Sequence, residues 1–382
     1  MRSVFQAMED PDMADRRSWA LRLRDRDDII TPEGLIMRVL GYDHPPGAWF
    51  CEPLYAPCSI FRSSDPRAPR LPRDGGLYLK FYGDEGWRFV MEHWPAYRLR
   101  HKPLGADLVG VREGQVKAVR RTDEGLRALL ASGSEDPLAR ALVELLDELT
   151  GATGLRTSDF GVFGSLLHGF YHPLLSDLDL VVYGLRALRA VREALAELYS
   201  SGERFKNEFG PGWSYGCRDW PWAGISPEEF RWHQARKLIY GFFLSREAGR
   251  WVKFELEPVR SWPEITNRYD PSEHITKLGW ALVRGRVADA SGAPFTPAVY
   301  GLEEAVFLGE PPPGAREPEL ILCYVDEFRL QAFEGEELVA AGWLEHVEGP
   351  RWERWQLVLT YGPRYHEQFI KLAGSGASNR LK

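Results

Sequence analysis

The chain has 382 residues, 44% of them hydrophobic and 27% charged, and a formal net charge of −7. That length exceeds one ordinary hydrophobic core and implies two or three domains, while the acidic balance argues against a protein that coats nucleic acid nonspecifically and leaves a local basic groove open. No apolar run approaches the roughly 18 residues that a membrane span needs, and Met1 to Asp28 lacks an apolar signal core, so no membrane association and a cytoplasmic location are expected.

Residues 1–27 are polar and mixed in charge and read as a frayed arm or a short helix. A β-rich N-terminal domain is expected over 28–122. Ile29-Ile30, a Pro-Glu-Gly turn and Leu35 to Leu40 spell a hairpin, and further strands are expected at Trp49 to Tyr55, Leu77 to Tyr82 and Leu108 to Val119. Gly86 to Trp94 reads as a short helix. The second domain, 123–264, opens on a linker helix over Pro137 to Leu149, with proline in its first turn and Gly151 as its stop. A strand (Phe160 to Phe163), a short helix (Ser165 to Phe170), a second strand (Leu178 to Tyr183) and a helix (Leu185 to Tyr199) follow. Ser226 caps a helix expected to run from Pro227 to Phe243, before a strand over Trp251 to Glu257.

From Ile265 the pattern changes to short β segments: Gly279 to Val287, Ala298 to Leu302, Glu319 to Asp326, Phe328 to Glu334, Glu337 to Val347 and Arg354 to Thr360. Residues 265–373 therefore read as a closed β-barrel, with an OB-like form among the options. Residues 374–382 read as a disordered tail. The fold class expected is α+β and multidomain, a small central mixed sheet flanked by a β-rich domain and a barrel. Cys51, Cys58, Cys217 and Cys323 show no metal-ligand spacing and read as reduced thiols.

The chemistry concentrates in the second domain. Gly164-Ser165 opens a short helix, and Ser176-Asp177-Leu178-Asp179 starts the following strand. Residues i and i+2 of a strand share a face, so Asp177 and Asp179 project together while Leu178 and Leu180 point into a core. Side-by-side carboxylates raise one another's pKa unless a cation sits between them. A hard divalent ion such as Mg2+, or Mn2+, supplies that charge and brings phosphate oxygens with it. The Gly-Ser turn offers backbone N–H groups and a hydroxyl to an anion. The bland alternative is a solvated strand edge after a tight turn.

Gly161-Val-Phe-Gly-Ser165, Gly169 and Ser176 to Gly184 together resemble the DNA polymerase β-like nucleotidyltransferase superfamily. Within it the chain resembles a group of uncharacterised archaeal nucleotidyltransferases, with the likeness reaching Thr31 to Leu35 and Gly41 to Pro46. The resemblance implies a magnesium-dependent enzyme that moves a nucleotidyl group from an NTP to an acceptor and releases pyrophosphate. It gives Asp177 and Asp179 the role of metal ligands and Gly164 and Ser165 that of phosphate ligands. A third carboxylate is expected on the neighbouring strand, where Glu255 lies between Phe254 and Leu256 and Glu257 is the substitute; the superfamily often places aspartate there. Arg236 and Lys237 are candidates for neutralising a triphosphate. His168 and His172 flank the site and read first as surface histidines, and Trp213, Tyr215, Trp220 and Trp222 are candidates for base stacking or for packing. No acceptor comes with the resemblance; the β-rich flanks favour an RNA or DNA end. The rival reading is a nucleotide- or nucleic-acid-binding module with a decayed catalytic centre.

Overall fold

The computed structural model describes residues 21–72, 75–133, 136–211, 220–362 and 364–374. Trp213, Tyr215, Cys217, most of the arm and the tail beyond residue 374 lie outside them. The chain is mixed α+β with three sheets, one of them curled into a half-barrel. No helix among the described residues is long and apolar enough to cross a membrane.

The first sheet holds β1 (Asp28–Ile30), β2 (Ile36–Val39), β3 (Ala48–Pro57), β4 (Pro69–Arg70), β5 (Tyr78–Lys80), β6 (Arg98–His101), β7 (Ala106–Arg112) and β8 (Ala118–Arg120). Its path is β4-β5-β3-β2-β1-β8, with β7 on β3 and β6 on β7. The hairpin between β1 and β2 is fixed locally. Thr31 Oγ1 accepts from the Leu35 amide at 3.1 Å. Gly34 takes φ +90°, and a Cβ there would stand 2.8 Å from the Pro57 ring, so only glycine fits. Ile29, Met37, Val39, Trp49 and Val111 form the core beneath, with α1 (Glu85–His93) packed on β3.

Two helices lead to the central sheet: α2 (Thr122–Ala131), which the sequence pattern did not reveal, and α3 (Pro137–Thr153). Asp136 caps α3 by accepting from the Ala139 amide at 2.8 Å, and Gly154, at φ +70°, ends it one turn beyond the expected Gly151. The central sheet is built from β9 (Phe160–Val162), β10 (Leu178–Tyr183), β11 (Phe205–Asn207), β12 (Tyr240–Ser245) and β13 (Arg250–Val259), in the order β11-β12-β13-β10-β9. Only β10 and β13 are parallel. α4 (Gly164–His168) links β9 toward β10, and α5 (Leu185–Ser201) buries Leu188, Val191 and Leu195 against the sheet.

The helix expected to reach Phe243 is α6 (Pro227–Lys237) and stops at Leu238, which takes a left-handed φ of 56°. The next residues form β12, where Gly241, Phe243 and Ser245 are buried alternately. The two-residue period wins because Gly241 lies against Tyr199 and Phe254 with no room for a side chain.

The third sheet contains β14 (His274–Gly292), β15 (Ala298–Phe307), β16 (Leu320–Cys323), β17 (Glu337–Glu348), β18 (Glu353–Leu359) and β19 (Phe369–Leu372). Its order is β14-β15-β16-β18-β17-β19, and β14 pairs with β17 as well. The expected strand over Phe328 to Glu334 is absent. A 3-10 turn at Asp326–Phe328 and a loop take its place, pinned by Tyr300, whose hydroxyl donates to the Phe328 carbonyl at 2.6 Å and accepts from the Gln331 amide at 2.9 Å.

Residues 24–27 are not frayed. Arg24, Asp25, Arg26 and Asp27 are all buried. Asp25 accepts from the Gly41 amide at 2.8 Å, Asp27 from the Thr122 amide at 3.0 Å, and Arg26 reaches Glu257 of the central sheet and Asp326 of the 3-10 turn after β16.

Candidate functional site

Asp177 is exposed at the start of β10, and Asp179, two residues on, is partly buried. Gly164 lies directly under Asp179. It takes φ +61°, and a Cβ there would stand 2.8 Å from Asp179 Oδ2. The Phe163 amide donates to the Asp179 carbonyl at 3.1 Å. The Gly-Ser turn and the second carboxylate are thus one local unit. The Ser165 hydroxyl, at the start of α4, has no hydrogen-bond partner among the described residues.

The parallel pairing of β10 with β13 puts Asp179 in register with Glu255 and Val181 in register with Glu257. Paired residues of neighbouring strands share a sheet face, so Asp179, Glu255 and Glu257 form one row. Their charges diverge. Burial and the Asp177 charge push the Asp179 carboxyl up to about 7, against the pull of Lys80 and Arg38. Burial, with Lys253 and Arg250 opposing, raises Asp177. Burial raises Glu255 well above its ordinary range, helped by the Glu257 charge, a hydrogen bond with Glu257 and the Asp179 charge. Burial would also raise Glu257, yet Arg26 and Arg329 hold it well below the usual range.

Glu257 is therefore committed elsewhere. Arg329 grips both of its oxygens, at 2.5 and 2.7 Å, and Arg26 adds a contact at 3.0 Å. Glu255 is the glutamate in register with Asp179. Among the described residues, no three His, Cys, Asp or Glu side chains gather as a metal centre. Glu255 is instead raised by its burial and by the charge and hydrogen bond of Glu257. The donor set still suits a hard cation: two neighbouring aspartates keep raised carboxyls despite the charges of Lys80, Arg38, Lys253 and Arg250.

The basic pair on α6 serves other contacts. Lys237 is fully buried and donates to the Glu327 carbonyl at 2.7 Å; burial and the Arg329 charge lower its pKa to about 7. Arg236 ion-pairs with Glu336 and lies 4.6 Å over the Trp232 ring. His168 is no surface histidine: its Nε2 is 2.6 Å from Asp28 Oδ2, with both side chains buried where β1 meets α4. His172 Nδ1 accepts from the Leu174 amide at 3.1 Å and shapes the loop before Asp177. Trp222 stacks on Phe230 at 5.3 Å and packs edge-on to Phe328, so it belongs to a core. Trp220 donates to the Ile225 carbonyl at 2.7 Å.

Sequence reasoning missed two cations whose charges bear on Asp179, Arg38 on β2 and Lys80 on β5. A basic residue two positions after an apolar one (Ile36 and Arg38, Tyr78 and Lys80) was the available signal. Which sheet they face was not written in the spacing.

No family model matches the chain, and no solved structure matches it. The chain is 26% identical over 360 residues to Uncharacterized protein MJ1086 of Methanocaldococcus jannaschii, an alignment that covers 92% of this chain and 99% of that one. The likeness is therefore one of whole chains rather than of a single motif, and it carries no activity with it.

Proposed function

We propose that the protein is a metal-dependent nucleotidyltransferase of the DNA polymerase β-like kind, acting on an NTP and an acceptor hydroxyl. The observation that carries this reading is the register that sets Asp179 beside Glu255, with the Asp177 charge acting on Asp179 and Gly164 against its carboxylate. Asp177 and Asp179 would hold Mg2+ or Mn2+, with Glu255 joining once it gives up its proton. Such an ion supplies charge neutralisation for the phosphates and lowers the pKa of the attacking hydroxyl. In the reaction the acceptor oxygen bonds to the α-phosphorus, the bond to the bridging oxygen breaks, and pyrophosphate leaves. Ser165 would contribute its hydroxyl to a phosphate oxygen. Glu255, pressed by Asp179 and Glu257, is suited to carry the proton released by the acceptor.

The strand order β14-β15-β16-β18-β17, returning to β14, supports an OB-like barrel in the C-terminal part. That favours a nucleic-acid end as the acceptor. A second reading has one observation in its favour: with Glu255 tied to Glu257, no three-carboxylate metal cluster is assembled among the described residues. On that reading the protein binds nucleotide or nucleic acid without chemistry.

Incubation with α-labelled NTPs, Mg2+ and a pooled set of RNA, DNA and protein acceptors separates the two. Label transfer that disappears in Asp179→Asn supports the enzyme. Metal-dependent NTP binding without transfer to any acceptor would favour the binder.

A further inference from the structure

We propose that Arg38 on β2 and Lys80 on β5 form a polyphosphate-binding wall on the N-terminal sheet that faces the Asp177–Asp179 pair; this rests on the nucleotidyl-transfer reading, because it gives the phosphate tail of an NTP its seat.

Strand alternation places Ile36 and Arg38 on one face of β2, and Tyr78 and Lys80 on one face of β5. Ile36, Tyr55 and Tyr78 pack around Phe170, with Tyr55 and Tyr78 at ring distances of 5.1 and 5.3 Å. Phe170 closes the α4 turn, its amide donating to the Ser165 carbonyl at 2.9 Å. The apolar part of this face thus sits against the Gly-Ser turn, and the basic residues continue it. Arg38 lies 5.5 Å from the Phe163 ring, the residue that precedes Gly164 and bonds the Asp179 backbone. Lys80 is in register with Tyr55, which keeps it beside the same contact.

Both cations are poorly neutralised. Arg38 makes a long ion pair with Glu52 at 3.6 Å, beyond hydrogen-bond distance, and its Nε is buried without a partner. The Lys80 ammonium makes no hydrogen bond or ion pair among the described residues and lies 5.5 Å over the Tyr82 ring. Burial and the charges of Arg38 and Arg70 lower the Lys80 pKa, while Asp179 and Glu52 pull the other way. A buried donor left unmatched is costly and is ordinarily explained by a ligand or water. Asp177 and Asp179 form the opposite excess, and the charges of both cations reach Asp179. Mg-polyphosphate satisfies both walls, its metal on the carboxylate side and its phosphate oxygens on the cation side. Arginine supplies a planar fork for phosphate and lysine a mobile point charge. Arg236 and Lys237, engaged by Glu336 and the Glu327 carbonyl, leave this role open.

The test is calorimetric titration of the full-length protein with Mg-tripolyphosphate at two salt concentrations. Lys80→Gln and Arg38→Gln are expected to weaken binding at least tenfold each and to flatten its salt dependence. Lys80→Arg should retain most of the affinity. Arg100→Gln, the same charge change on the exposed β6–β7 hairpin, should change nothing. Arg38 also packs near Phe163, so Lys80→Gln, checked for an unchanged melting temperature, carries the test if Arg38→Gln unfolds. Wild-type affinity in Lys80→Gln overturns the wall, as does a wild-type protein that fails to bind Mg-tripolyphosphate. Nucleotidyl transfer that survives in both cation variants but dies in Asp179→Asn overturns the wall and leaves the enzyme reading intact. Loss of tripolyphosphate binding in Lys80→Gln, in a protein that transfers to no acceptor, keeps the wall and rejects the enzyme.

Discussion

Asp179 shows how a strand position acquires chemistry. Gly164 removes the side chain that would otherwise displace its carboxylate, and burial with the Asp177 charge raises its pKa to about 7. The ordinary aspartate value lies near 4, so in the metal-free protein the folded state holds this proton more tightly than the unfolded chain does. Its contribution to stability is therefore greatest at acid pH and declines as pH rises from about 4 through 7. A bound cation reverses the trend, because only the ionised carboxylate is a ligand. Apparent Mg2+ affinity should climb about tenfold per pH unit below 7 and level off above it. Titration calorimetry between pH 5.5 and 8.5 reads this directly; a flat profile would remove Asp179 from the metal site. Asp177→Ala and Asp179→Ala should each reduce nucleotidyl transfer to background while far-UV circular dichroism stays unchanged, since neither carboxylate holds a hydrogen bond among the described residues and neither belongs to a hydrophobic core. Near wild-type transfer in either variant would sink the assignment.

Strand β13 sets two glutamates in one row and gives them opposite work. Glu255→Gln preserves a neutral group able to donate to Glu257, as the protonated acid does, and should leave unfolding free energy within about 0.5 kcal/mol of wild type while lowering transfer. Glu257→Ala strips the anion from two buried guanidinium groups and should cost about 3–5 kcal/mol. Urea unfolding of both variants distinguishes the roles; equal losses would contradict the division. At this scale much of the fold was legible in the sequence. The alternation of Val252, Phe254 and Leu256 announced β13, and the Gly-Ser and Asp-x-Asp spacing announced the turn and β10, because those signals are local. The end of α6 was not legible, since capping by Ser226 marks only where a helix starts and the close approach at Gly241 is tertiary. The 3-10 turn in place of the Phe328 strand was hidden for the same reason: its backbone is held by Tyr300, far away in sequence. Nor did spacing show that Arg38 and Lys80 bear on Asp179, which only the docking of two sheets reveals.

The whole molecule is tied together by a buried charged segment that looked like part of an arm. Arg26 bonds Glu257 of the central sheet at 3.0 Å and Asp326 of the C-terminal part at 2.8 Å. It does so from a left-handed backbone, φ +71°, a conformation that costs roughly 1–2 kcal/mol for a residue with a Cβ. Arg24 closes the other side, 3.1 Å from Asp123 and 4.0 Å over the Tyr183 ring. The boundary at residue 265 also cuts through a shared core, because Trp222, Ile225 and Phe230 pack with Phe328, Leu357 and Ile370. Ending the chain at Ile265 would leave Glu257 without Arg329, Lys237 without its carbonyl and Trp222 without its cover. Such a fragment is expected to lack a cooperative melt and to bind a hydrophobic dye, whereas the full chain should unfold in one calorimetric transition. In the full-length protein, Arg26→Met should lower that single transition without splitting it, since Glu257 keeps Arg329 while Asp326 loses its 2.8 Å partner. A fragment that melts cooperatively by itself, or two resolved transitions in the intact chain, would show instead that the C-terminal sheet folds as an independent unit and that the buried charges merely decorate its contact.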